Sequence, residues 1–161
     1  MQEMLTAANV PKIANTDYRH ITDMLHKFIK FENNVNILLM TIKLMGALAK
    51  GLRKNFAPYA KMFFEYVISK YSIKKTNMIE ETTNCLNEFN YCISIEDVLD
   101  TVKKSLEDKN PELKINVLGW LDRIVERRAK DRLFNEKAKD ALRNLFPTLK
   151  DLCNDGNVGV R

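Results

Sequence analysis

Apolar residues recur every three or four positions through almost the whole of this chain, a spacing that leaves room for little except stacked amphipathic helices. Tyr59, Met62, Phe63, Tyr66 and Val67 form one stripe, and Ile95, Val98, Leu99, Val102 and Leu106 another. Leu113, Val117, Trp120, Leu121 and Ile124 repeat the pattern, as do Leu142, Leu145, Phe146, Leu149 and Leu152. From Asn36 to Leu52 the chain is nearly apolar all round, as suits an inner-layer helix covered on two sides. With Gly 5 and Pro 4 in 161 residues, an all-β fold lacks the turns it needs. The pattern predicts an all-α chain with helices near 1–9, 17–31, 36–50, 58–71, 77–90, 95–107, 111–129 and 135–152. Asp17 and Ser94 suit N-caps, Pro58 and Pro111 suit first turns, and Pro147 should kink or shorten the last helix.

The short breaks form a repeat of their own. Asn34-Val35-Asn36-Ile37, Lys75-Thr76-Asn77-Met78, Asn110-Pro111-Glu112-Leu113 and Asn157-Val158-Gly159-Val160 start about 40 residues apart, the period of HEAT hairpins. Each such loop joins the two helices of one hairpin, and stacking brings the loops to one edge of an α-solenoid. The hairpins are expected near 17–52, 58–90, 95–129 and 135–161, with residues 1–16 as the tail of a preceding repeat. Lys74, Lys75, Lys109 and Lys114 are then gathered on that edge, where they can meet an acidic partner together. Asn34, Asn110 and Asn157 serve equally as contacts or as caps and turn residues. Arg53 and Lys54 fall between hairpins, on the opposite edge, and read as structural.

Charge narrows the partner without choosing it. The formal net charge of +5 and pI near 9.1 favour an acidic partner, whether protein, nucleic acid or anionic membrane. Nucleic acid is disfavoured because the aromatics belong to core stripes rather than to a stacking platform along a basic groove. A membrane span is disfavoured because no apolar run reaches about 18 residues, and the start lacks the pattern of a secretory signal. Cys85, Cys92 and Cys153 form neither a zinc motif nor a complete disulfide set, and read as buried thiols of a cytosolic chain. His20 and His26 are not at the spacing of a helical metal pair, so they read as surface residues or as packing residues with satisfied hydrogen bonds, and no metal or other cofactor is expected. Nor is there a phosphate loop, a nucleophile elbow or a zincin motif, so no catalytic residues or small-molecule substrate are expected and the chain reads as a binding module.

Particular segments go further. Asn34-Val35 is followed by Ala47-Leu48-Ala49-Lys50-Gly51-Leu52-Arg53 and Phe56-Ala57-Pro58-Tyr59-Ala60; later come Lys70-Tyr71-Ser72-Ile73-Lys74-Lys75, Lys109-Asn110-Pro111-Glu112-Leu113-Lys114 and Leu152-Cys153-Asn154-Asp155-Gly156. Together, over about residues 17–161, they resemble a TOG domain, the tubulin-binding HEAT array of the ch-TOG and Minispindles microtubule-polymerase family. Ser72 and Ile73 depart from the family's basic loop, which has a lysine and a glutamate there.

The resemblance implies a truncated array, equivalent to the last four of six HEAT repeats, whose loop edge grips the α/β-tubulin heterodimer and serves growing microtubule ends. The loop residues it implies are Asn34, Val35, Lys74, Lys75, Lys109, Asn110, Pro111, Lys114, Asn154, Asp155, Asn157 and Arg161. It also implies a cytoplasmic location on the microtubule cytoskeleton, the spindle or a microtubule-organising centre. The alternative is a HEAT scaffold for another acidic protein. The family's loop tryptophan has no counterpart, since Trp120 lies in a core stripe. Apolar side chains at the ends of the array, Leu142 to Leu149 and Met4 with Leu5, predict weak self-association.

Overall fold

Each of the stripes from Tyr59 onward, and the apolar run before them, folds into a helix. The computed structural model describes residues 17–130 and 136–161, so the expected helix near 1–9 and the residue 1–16 tail lie outside the described residues. In chain order the helices are α1 (Arg19–Phe31), α2 (Val35–Leu52), α3 (Ala57–Ser69), α4 (Thr76–Phe89), α5 (Leu99–Leu106), α6 (Pro111–Lys130) and α7 (Glu136–Leu152), with no strand among the described residues. α5 starts later than its stripe. The Asp97 carboxylate accepts hydrogen bonds from the Ser94 amide and hydroxyl, each at 3.1 Å, and the chain makes a 3-10 turn over Glu96–Val98 before the α-helix begins.

The helices pack in two layers. α1, α3, α5 and α7 contact one another in succession, while α2 packs along α4, and α6 follows against the turn Lys70–Ser72. Cross-layer contacts join α1 to α2, α3 to α4 and α5 to α6, which are the expected hairpins; α7 is the described helix of the fourth. Gly46 sets the tight α2–α4 contact, since a Cβ there would stand 3.4 Å from the Cys85 Cα. By hydropathy alone Val35–Ser72 is long and apolar enough for a membrane span. The turn at Arg53–Phe56 divides it instead into α2 and α3, whose apolar faces are buried on neighbouring helices.

Phe56 occupies the centre of the hand-over from α2 to α3. It is fully buried, with ring centroids 5.6 Å from Tyr59, 6.1 Å from Phe63 and 5.9 Å from Phe89. The turn that inserts it is strained: Arg53 ends α2 at φ 51°, a conformation that L side chains rarely adopt. Its guanidinium holds the turn by pairing with Glu88 at 3.2 Å and stacking 4.8 Å over the Tyr91 ring. Arg53 is thus a structural residue, as its place between hairpins suggests. Trp120 is also fully buried, 5.6 Å from Phe64.

Four expectations need correction. α7 runs unbroken from Glu136 through Pro147 to Leu152, so the proline removes one backbone donor without shortening the helix. Phe146 is exposed, because the adjacent Leu145 takes the inward position and consecutive helical residues face different ways. Cys153 is exposed and Cys92 only half-buried, leaving Cys85 as the buried thiol. His26 packs against Phe63 and Tyr66 at 6.3 and 5.1 Å, yet its buried Nε2 has no hydrogen-bond partner.

Replacing Phe56 by Ala is expected to lower the unfolding free energy by about 3–5 kcal/mol through lost burial and the cavity left behind. The exposed Phe31 serves as the control, its change to Ala costing no more than about 0.5 kcal/mol. Urea titration of both variants is the measurement; equal effects would show that Phe56 is not the packing centre.

Candidate partner-binding edge

The loops before α2, α4 and α6 are closed by local hydrogen bonds that leave their side chains at one edge. Asn34 Oδ1 accepts the Asn36 amide at 3.0 Å, and Asn110 Oδ1 accepts those of Glu112 and Leu113 at 3.0 and 3.4 Å. Both asparagines are therefore N-caps. After α7, Asn157 Oδ1 accepts the Gly159 amide at 2.9 Å while the Asn157 carbonyl accepts the Val160 and Arg161 amides, closing a turn that buries Val160. Of the two readings left open for these asparagines, the structure shows the capping and turn role for all three. Val35 is half-buried against the core and Pro111 begins α6, so both shape the loops.

Ion pairs between repeats set the loops in register. Lys74 Nζ, before α4, lies 3.2 Å from Glu112 in the first turn of α6, and Lys114 Nζ in α6 lies 2.6 Å from Asp155 after α7. The side-chain amide of Asn116 adds a hydrogen bond to the Tyr71 carbonyl at 3.4 Å. These contacts place the last three loops side by side, as the repeat predicted.

They also separate the expected lysines into two kinds. Lys75 and Lys109 are exposed, with no ion-pair partner among the described residues. Lys74 is paired but still 71% exposed, so its bridge is weak and its charge remains accessible. Lys114 differs, its side chain being only 15% exposed and held by Asp155. The expectation that Lys114 and Asp155 are both presented to a partner is corrected: they neutralise each other across repeats. Asn154 and Arg161 are exposed beside this pair.

The sequence reading missed a groove that starts one turn below this edge. It has a volume of ≈ 590 Å³ between α4 and α6, lined by Ile79, Glu80, Thr83 and Asn84 on one wall and Ile115, Asn116, Gly119 and Arg123 on the other. Gly119, a helix-weakening residue inside a long helix, is the sequence signal that could have pointed to it.

The comparisons with known proteins fit this geometry. The family model described as CLASP N terminal matches residues 15–161. The chain is 27% identical over 151 residues to Protein mini spindles of Drosophila melanogaster, covering 94% of this chain and 7% of that protein. It is 27% identical over 161 residues to Protein MOR1 of Arabidopsis thaliana, covering 99% of this chain and 8% of that protein. Over 123 residues it is 24% identical to the spindle pole body component alp14 of Schizosaccharomyces pombe, covering 76% of this chain and 15% of that protein. It thus spans a small part of each of these relatives. Among solved structures, a chain from work on microtubule plus end tracking by XMAP215, CLIP-170 and EB1 superposes with a TM-score of 0.82 at 26% identity, covering 99% of this chain and 66% of that one. A chain from work on tubulin recruitment and assembly by microtubule polymerases with TOG domain arrays gives 0.81 at 22% identity, covering 99% and 34%, and supports the fold alone.

The Asp155 carboxyl is held below its ordinary 3.8, first by the hydrogen bond from Lys114 and then by the Asn157 amide. A carboxyl depressed in the folded state stabilises in full above its unfolded pKa, near 4, and loses that contribution as pH falls through the lower folded value. Asp155→Asn is therefore expected to make stability fall less steeply with acid below about pH 4. Urea titrations from pH 2.5 to 6 measure this, and an unchanged slope would mean that the pair does not couple the last two loops.

Proposed function

The chain belongs to the CLASP N-terminal family, and from that premise we propose that it is a tubulin-binding module of a protein that promotes microtubule growth. It grips the tubulin heterodimer with the loop edge and acts by binding rather than by catalysis. The observation that carries this reading is the edge itself, where loops closed by local hydrogen bonds present Lys75 and Lys109 unpaired and Lys74 largely exposed. Loops already fixed by Asn34, Asn110 and Asn157 lose little ordering entropy on binding, so a few contacts suffice. The relatives named for spindles and a spindle pole body support a cytoplasmic place on the microtubule cytoskeleton. An acidic partner captured by exposed lysines implies association that slows as salt rises, since charges beyond about 8–10 Å are screened.

Lys75 and Lys109, rather than Lys114, are the residues to reverse, because a glutamate at 114 would face Asp155 and disturb the fold. The double variant Lys75→Glu, Lys109→Glu is expected to weaken tubulin binding at least tenfold in gel filtration while its helical circular dichroism is unchanged. Full binding by that variant would overturn the assignment of this edge. Failure of the unaltered chain to bind tubulin, with capture of another acidic protein through the same lysines, would leave the scaffold reading instead.

A further inference from the structure

The groove between α4 and α6 has features that the loop edge does not use. Where α2 meets α4, a Cβ on Gly46 would touch the neighbouring backbone at 3.4 Å. On Gly119 the nearest atom to an added Cβ is Arg123 Nη1 of the same helix, at 3.7 Å, and nothing of α4 comes within 4 Å. A glycine inside a helix is destabilising relative to alanine. Here no neighbouring helix needs the space that it leaves.

The walls are held in place by a buried hydroxyl. Tyr71, fully buried, has its phenolic oxygen 2.9 Å from Thr83 Oγ1, and the Thr83 hydroxyl donates to the Ile79 carbonyl at 2.8 Å. The Tyr71 hydroxyl therefore donates to Thr83; burial raises its pKa, and the Arg123 guanidinium lies close enough to favour the ionised form against that. No carboxylate pairs with Arg123 among the described residues, so its guanidinium donors remain available to a ligand. Asn84 is exposed on the opposite wall with its amide unpaired. Ile79 and Ile115 supply apolar surface, and Glu80 lies nearer the loop edge than Arg123 does.

We infer that this groove binds a short extended peptide segment that places a carboxylate on Arg123, an apolar side chain on Ile79 and Ile115, and its backbone against the Asn84 amide and the bare surface of Gly119. The dimensions agree. From Ile115 to Arg123 the helix rises about 12 Å, the length of about four extended residues, and ≈ 590 Å³ lies within the range of specific pockets. The ends of the groove have opposite charge, with exposed Glu80 at the end toward the loop edge and exposed Arg123 at the end away from it. A polyanion is therefore poorly matched, and a segment with one acidic end and a neutral or basic other end is favoured.

The test titrates acetyl-Lys-Leu-Ala-Glu-amide and its reversed sequence into the nitrogen-15-labelled chain. Amide shifts are expected at residues 79–84 and 115–123 with a dissociation constant on the order of 1 mM or tighter for one orientation. Replacing the peptide's Glu by Gln, or Arg123 by Gln, is expected to weaken binding at least tenfold. Gly119→Leu, which fills the groove, is expected to abolish it. The Lys75→Glu, Lys109→Glu variant is expected to bind the peptide unchanged, so the outcome is separable from tubulin binding. Shifts confined to the loops, or equal affinity for the Gln peptide or by the Arg123→Gln chain, would overturn the inference. So would tighter, Arg123-dependent binding of a short oligonucleotide at the same residues.

Discussion

The position of Phe56 is the constraint on which the rest of the array depends. A solenoid propagates only if each hairpin passes to the next at a fixed angle, and here the hand-over is a single turn whose aromatic side chain packs on both helices of the hairpin that follows, Tyr59 and Phe63 of α3 and Phe89 of α4. Burying that ring requires the chain to turn sharply at Arg53, in a backbone conformation that costs on the order of 1–3 kcal/mol for a residue with a Cβ. The ion pair to Glu88 and the stack on Tyr91 fasten that residue from the neighbouring helix and the loop after it. The segment from Gly51 to Ala60 is thus a structural joint.

The two edges of the array consequently do different work. One carries the joint at Arg53–Phe56, together with pairs such as Lys61 with Asp97 that stitch successive helices. The other carries loops closed by Asn34, Asn110 and Asn157 or, before α4, by backbone hydrogen bonds, with Lys74–Glu112 and Lys114–Asp155 linking one loop to the next. Fixing loops by hydrogen bonds and interlocking pairs lets a row of cations be presented without large side chains to anchor it. Position along the edge decides the fate of each lysine: the solvated ones remain available, and the partly buried one is consumed by its neighbour.

Helix order, hairpin pairing and the buried Trp120 were legible in the sequence because each rests on local spacing, which a helix of 3.6 residues per turn translates directly into a face. The asparagines suited a cap and a contact alike, and only their hydrogen bonds distinguish the two. Lys114 was not legible as an internal residue. Its partner Asp155 lies a whole repeat away, and only stacking brings them together. Phe146 fell within a stripe, yet one position of helical rotation separates it from the buried Leu145, a margin that stripe reading does not resolve. Tyr71 ends the helix expected over 58–71 and is not part of its stripe, yet the 3-10 turn there drives its ring into the core and its hydroxyl to Thr83. The groove went unseen because it is defined by the space left beside Gly119, which depends on how two helices diverge.

The central claim is that the capped loops form the face that meets tubulin, and photo-crosslinking tests it most directly. A photoreactive residue placed singly at positions 34, 75, 109 and 154 of the chain, and at 54 and 91 of the opposite edge, reports contact without altering the charge of the other loops. The account predicts tubulin adducts from the four loop positions and none from 54 or 91. Adducts from 54 or 91, with none from the loops, would contradict it.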